Sequence, residues 1–371
     1  MNWRVAAKLA WSSRNLRCGL LCFAGLAVNA VLYLPFLHYT PDTDFLGLYP
    51  GGKLCGTGHL YDTLHVLAVQ RDAIGHNNSQ RLFIRPPFYA AILWPLAQLP
   101  YQQAFEAFQM LMLAAVAAFV WFFPAADRRA AAVACCWSMP LFGSFVFGQD
   151  LALLLGLTAV SLMLLKINRP IQAGAALSLC AIKPHLFLLL PLLVLERRMW
   201  RFGAGLLAGG SVLIALSFLA AGPKWLPAFW GAATLPQTNR GLAAMPNLNG
   251  LVNGRLPWEI AGALIVCALV WYVIRRSNLA WSFGAVLAGG ILISHHTYIA
   301  DCAILLPALL IMQEQADRNW QRLLALFLIT PLGFVWVYLA GAGLLGRLAL
   351  VFFALSFLAV PQSPKEQAPD A

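Results

Sequence analysis

Apolar runs recur along the chain at about 18–38, 105–123, 130–147, 150–166, 170–182, 185–195, 202–221, 257–274, 280–294, 297–313, 323–341 and 344–360. A helix needs about 20 apolar residues to cross about 30 Å of hydrocarbon, so the pattern predicts a bundle of about twelve helices, several too short for a perpendicular crossing. The short connections "ADRRA" (126–130), "KINR" (166–169), "ERRMWR" (196–201), "RRSN" (275–278) and "QEQADRNWQR" (313–322) carry the Lys and Arg residues. All five fall on the cytoplasmic side if the termini do. Two large external loops then remain, 39–104 and 222–256, with three polar turns, "GQD" (148–150), "KPH" (183–185) and "SHHT" (294–297). In this topology "RPPFYAAILWPLAQLP" (85–100) begins and ends outside as a juxtamembrane or re-entrant helix. The break at Lys183-Pro184 reaches the same face, because a proline interrupts helical hydrogen bonding. The alternative, in which 86–99 spans, puts Arg128, Arg129, Lys166 and Arg169 on conflicting sides or outside.

Composition agrees with the pattern. Of 371 residues 61% are hydrophobic and 11% charged, and the mean hydropathy is +0.73, well outside the soluble range. The expected fold class is an all-α integral membrane protein, with one polytopic domain over residues 1–360 and a disordered cytoplasmic tail over 361–371. The net charge of +11 is dispersed among the short connections, which speaks for membrane orientation and against nucleic acid. Eight cysteines lie mostly inside apolar runs without metal-type spacing and read as small core residues. Arg4, Lys8, Arg14 and Arg17 precede the first run, and Val28 and Ala30 mimic a cleavage site. The apolar stretch continues past them, so an uncleaved first helix is expected.

Polar residues that could do chemistry collect on the expected outer face. Asp42 and Asp44 follow the first run among Phe45, Tyr49 and Tyr61, where limited water suits a carboxylate for general-base work. The D-T-D string also has the form of a pair that holds a divalent cation, a reading less favoured than a metal-free site. Arg85 and Lys183 are cations where orientation does not call for them, so they suit an anionic lipid head such as a phosphate, with His185 beside them across Pro184. Gln149 and Asp150 open a helix at "FGQD"; Asp150 suffices as an N-cap, and Gln149 is placed to bond a sugar hydroxyl. His295, His296, Tyr298 and Asp301 form "HHTYIAD" between two apolar runs, where ionisable groups are expensive unless they face a wet cavity. Adjacent histidines on a helix point about 100° apart, which disfavours zinc. No nucleotide-binding or nucleophile-elbow motif occurs.

Five segments in order, "DFLGLYPGGKLCGTGHLYD", "RPPFYAAILWPLAQLP", "GQDLALLLGL", "AGAALSLCAIKPHLFLLLPLLVLERRMWR" and "SHHTYIADCAILL", resemble motifs of one family. The chain is similar over about residues 20 to 310 to the polyprenyl-phosphate-sugar-dependent membrane glycosyltransferases of the GT-C superfamily, in particular a bacterial mannosyltransferase-like family. The resemblance implies a GT-C fold of about twelve helices with external juxtamembrane helices in the first loop. It implies an inner-membrane enzyme whose site faces the periplasm or exterior. It would move one sugar, mannose by default, from a polyprenyl-phosphate donor to a glycan or glycolipid acceptor with inversion and without a cofactor. Asp44 would be the base, with His296 or His295 assisting; Arg85, Lys183 and His185 would face the donor phosphate. Asp42, Tyr49, Tyr61, Gln149, Asp150, Tyr298 and Asp301 would line the substrate site. The second aspartate at 42 and the paired histidines leave the choice within each pair open. A polytopic transporter or flippase is the rival reading, weakened by the lack of an internal repeat.

Overall fold

Four helices among the described residues are long and apolar enough to cross a membrane. They are α1 (Trp3–Tyr33), α5 (Tyr101–Phe122), α11 (Trp200–Ala221) and α14 (Leu256–Arg276). The computed structural model describes residues 3–35, 43–75, 81–235, 241–242, 245–338 and 343–361. Asp42 lies outside them, as does the tail from residue 362. Three short helices stand between α1 and α5: α2 (Phe45–Lys53), α3 (Thr63–Ile74) and α4 (Pro87–Ala97). At 11 residues α4 is about 16 Å long, too short to cross.

The apolar run at 130–147 is two helices, α6 (Arg128–Trp137) and α7 (Met139–Val146), bent by 62° where Ser138 caps the second. Counted as one span, the pair raises the number of crossing helices to five, so the twelve expected from apolar runs are not matched by twelve long helices. The remaining runs are shorter or broken: α8 (Leu151–Lys166), α9 (Pro170–Ser178), two 3-10 turns (Leu179–Ile182 and Pro184–Phe187), and α10 (Leu190–Glu196). After α11 come α12 (Trp225–Ala233) and α13 (Leu248–Leu251), then α14 and α15 (Leu279–Ile293). A 3-10 turn (Ile299–Leu305) leads into α16 (Leu306–Gln315), α17 (Asn319–Ile329), α18 (Leu332–Tyr338) and α19 (Gly343–Ser356). No strand occurs among the described residues.

Glycines set the closest crossings. A Cβ on Gly174 of α9 would meet the Phe202 carbonyl oxygen, and one on Gly205 of α11 the Ile171 carbonyl oxygen, so the two backbones touch as small residues allow in lipid. In the first loop, Gly51 and Gly52 belong to α2, where added side chains would strike the Phe83 ring and α4 at Leu93 and Ala97. They serve helix approach; Gly56 and Gly58, with φ of +77° and +80°, turn the chain afterwards.

The two ends of the bundle gather different segments. At one end Arg275 pairs with Glu196 at 3.1 Å, Arg197 bonds Ser277 and Ser282, and Asn278 bonds Gln315, which joins three of the basic connections. Arg128 stacks on Trp121 and Arg276 on Tyr272, an aromatic and cationic rim of the kind found at a membrane interface. At the other end the Asp44 amide bonds the Phe147 carbonyl at 2.6 Å and the Gly56 amide the Ala220 carbonyl at 2.7 Å. Exposed large side chains such as Leu207, Leu219, Leu264 and Ile265 cover the sides of α11 and α14, as lipid-facing helices require.

Candidate active site

Helix breaks build the site. Each interruption in an apolar run, at 147–150, 183 and 294–298, frees backbone groups and carries polar side chains that lipid would not tolerate alone. The breaks converge with the start of α2 and the segment before α4.

At their centre Arg85 grips Asp150 with two hydrogen bonds, Nε to Oδ2 at 2.9 Å and Nη2 to Oδ1 at 3.2 Å. Lys183 Nζ lies 3.5 Å from Asp150 Oδ1 and 2.6 Å from Asp301 Oδ1. Asp301 Oδ2 accepts the Tyr298 amide at 2.8 Å. Two cations thus face two carboxylates, all largely buried, with the Asp150 side chain 0% exposed and that of Lys183 5%. Asp150 makes no side-chain bond to its own helix; its carboxylate is spent on the cations. Lys183 likewise binds carboxylates, not the carbonyls of the preceding helix.

Asp44 stands beside this cluster and is more open. Its Oδ1 accepts from Arg81 Nη1 and its Oδ2 from Gln149 Nε2 at 2.5 Å; the side chains of Asp44 and Arg81 are 30% and 40% exposed. The other amide atom, Gln149 Oε1, is buried without a hydrogen-bond partner, as is His185 Nε2. His296 faces Asp301, Lys183, Arg85 and His295; its ring meets Tyr298 edge-on at 4.8 Å. Burial first, then Lys183 and Arg85, hold His296 below the usual histidine value against the pull of Asp301, so it is neutral at pH 7. Tyr298 is pushed up by burial and by Asp301 and Asp44.

The two adjacent histidines part company. His295 Nδ1 bonds Glu259 Oε1 of α14 at 2.8 Å, with the histidine side chain 62% exposed and the glutamate 7%. Asn249 Nδ2 bonds the His295 carbonyl at 2.8 Å and Asn247 Nδ2 the Ser294 carbonyl at 2.6 Å, fixing this turn against α13. His295 and Asp301 therefore point to different partners, Glu259 and Lys183.

The tyrosines expected at the substrate are held by the fold. Tyr49 is buried in an aromatic group with Phe45 and Tyr101, and its hydroxyl donates to the Leu99 carbonyl at 2.9 Å. Tyr61 donates to the Arg85 carbonyl at 2.6 Å and sits between Phe83 and Phe229. Asp42 lies outside the described residues, so of the expected aspartate pair the structure describes Asp44. Sequence reasoning missed Arg81 and Glu259. A cation four residues before Arg85 in "RLFIR", and an acid in the first turn of an apolar helix, were the available signals.

Neither the curated proteins nor the solved structures contain a match to this chain. The model of glycosyltransferase family 87 matches residues 83–295, which takes in Arg85, Gln149, Asp150, Lys183 and His295. That span is more than half of the chain, and it decides for a transferase over a transporter: this multi-pass, all-α membrane protein belongs to glycosyltransferase family 87.

Proposed function

We propose that the protein transfers one sugar, mannose by default, from a polyprenyl-phosphate donor to a hydroxyl of a glycan or glycolipid at the outer face of a bacterial inner membrane. The observation that carries this reading is the partly exposed Asp44 carboxylate, held by Arg81 and Gln149 at the rim of a buried, charge-balanced cluster. The location is supported by the basic connections, which gather at the opposite end of the bundle.

In the reaction the acceptor oxygen attacks the anomeric carbon, the bond from that carbon to the phosphate oxygen breaks, and Asp44 takes the hydroxyl proton. The leaving polyprenyl phosphate keeps the bonding electrons, so cations suffice and no general acid is required. One base with attack opposite the leaving group gives inversion. Arg81, paired with Asp44 but 40% exposed against 14% for Arg85 and 5% for Lys183, is the most accessible of these cations to an arriving phosphate. A donor phosphate at Arg81 competes with Asp44 for the guanidinium and frees Oδ1 for the acceptor. Arg85 and Lys183, with Asp150 and Asp301, then act from behind by holding the break residues in place, and His185, its pKa held down to about 4 by burial, stands beside them uncharged. Gln149 Oε1 offers an acceptor to a sugar hydroxyl, and neutral His296 and Tyr298 line the same face. Asp150 and Asp301 keep the cations in place, while Tyr49 and Tyr61 hold the first loop.

The test is transfer of radiolabelled sugar from polyprenyl-phosphate-mannose to a membrane extract by purified wild type and Asp44→Asn, with and without EDTA. Transfer by wild type alone, unchanged by EDTA, is expected; no transfer from any lipid-linked sugar would refute the proposal.

A further inference from the structure

The first loop carries a second constellation, "GHLYDTLH" (58–65), ahead of the family match. Asp62 caps α3: its Oδ1 accepts the Leu64 amide at 2.9 Å, which leaves Oδ2 for other partners. That oxygen lies 2.9 Å from His65 Nδ1 and 3.8 Å from His59 Nδ1. The two imidazoles stack with centroids 3.9 Å apart and planes at 14°, and the three donor atoms all lie within 4.8 Å of one another.

We propose that His59, Asp62 and His65 form a binding site for a borderline transition-metal dication of the zinc class, with a fourth position open to water. A single imidazole–carboxylate hydrogen bond would satisfy Asp62. Here two rings gather about one carboxylate oxygen with all three donor atoms within 4.8 Å, and because the rings stand nearly parallel, one of these exposed side chains turns about its Cβ–Cγ bond to aim its nitrogen at the common ion. Metal–ligand bonds of 2.0–2.2 Å in a tetrahedron set donor atoms about 3.3–3.6 Å apart, and the two nitrogen–oxygen spacings bracket that value. Two imidazoles favour zinc or cobalt over magnesium or calcium, which take oxygen donors. The segment is anchored independently of any ion: Leu60 is buried, Tyr61 is tied to Arg85, and Asp62 is fixed by its capping bond. The backbone that carries the donors is therefore placed in advance, and their side chains are exposed and make none of the contacts that hold Asp44, so metal capture is separable from sugar transfer.

Cobalt(II) titration of the purified, untagged full chain tests this. One equivalent with the intense visible bands of a tetrahedral ion, displaced by zinc, is expected. His59→Ala and His65→Ala should each weaken binding about 100-fold or more while leaving metal-free melting unchanged. Absence of tetrahedral bands, bands that survive both substitutions, or a near-ultraviolet thiolate transition assigning the metal to cysteines would each overturn the proposal. The readout is spectroscopic, so it stands or falls apart from the glycosyl-transfer assay.

Discussion

Replacing Asp150 by Asn removes one charge from a cluster of four and leaves Arg85 and Lys183 facing Asp301 alone. Asp150 is fully buried, and Arg85 loses both of its hydrogen bonds to a carboxylate. Breaking a buried pair by removing one partner costs about 3–5 kcal/mol, because the remaining charge stays desolvated. At the 2–4 °C per kcal/mol seen for chains of 150–250 residues, taken as an upper guide for this longer one, the melting temperature in detergent should fall by about 5–10 °C. Combining Asp150→Asn with Arg85→Gln removes a whole pair and leaves the 2.6 Å Lys183–Asp301 pair intact. The double variant should therefore be more stable than Asp150→Asn alone, a non-additivity typical of groups in contact. Melting of wild type, both single variants and the double variant, followed by size-exclusion chromatography after heating, reads the cycle. If the two single losses simply add in the double variant, the charge-balance reasoning is wrong.

Asp44→Asn should lower the transfer rate by about 10²–10⁴-fold with little change in melting, since its side chain is partly exposed and caps nothing; initial rates beside a melting curve check both. Arg81→Ala should raise the donor KM more than it lowers the rate at saturation, and equal effects on both would remove Arg81 from the donor phosphate. His296 has its folded value below the unfolded 6.5, so its contribution to stability is complete above pH 6.5 and is lost as pH falls through the folded value. Melting curves from pH 7.5 to 5 should show an acid loss that His296→Gln reduces. Gly205→Ala should destabilise by about 1–3 kcal/mol, because its methyl group meets the Ile171 carbonyl, whereas Gly210→Ala, with open space around it, should be neutral.

Much of the site was legible because charge inside apolar sequence is conspicuous. Arg85, Asp150, Lys183 and Asp301 stood out for that reason, yet their pairing did not, since periodicity says nothing about which breaks meet in space. Read singly, Arg85 and Lys183 looked like free cations for a phosphate. Together with Asp150 and Asp301 they are neutralised, and the more open cation is Arg81. Tyr49 and Tyr61 were noticed for their position, but hydrogen bonds to Leu99 and Arg85 carbonyls are invisible to a reading of residue type. Hydropathy and the proline together marked the break at Lys183-Pro184, where two 3-10 turns meet, but not the one inside 130–147, where Ser138 splits a continuous run into two helices. The short helix within 85–100 was readable because prolines bound it, and it runs from Pro87 to Ala97.

The charged cluster also bears on how the chain is assembled. Synthesis runs from the N-terminus, so Arg85, Asp150 and Lys183 have all emerged while Asp301 is still 118 residues away from Lys183. At 5–20 residues per second that gap lasts roughly 6–24 s. Through this interval Asp150 is the sole counter-ion for both cations, and Lys183 is within 3.5 Å of it in the finished fold. In the finished fold the Ile299–Leu305 turn brings the second carboxylate, and with it the cluster's two cations are matched by two anions. Asp301 thereby latches the C-terminal helices onto those already inserted.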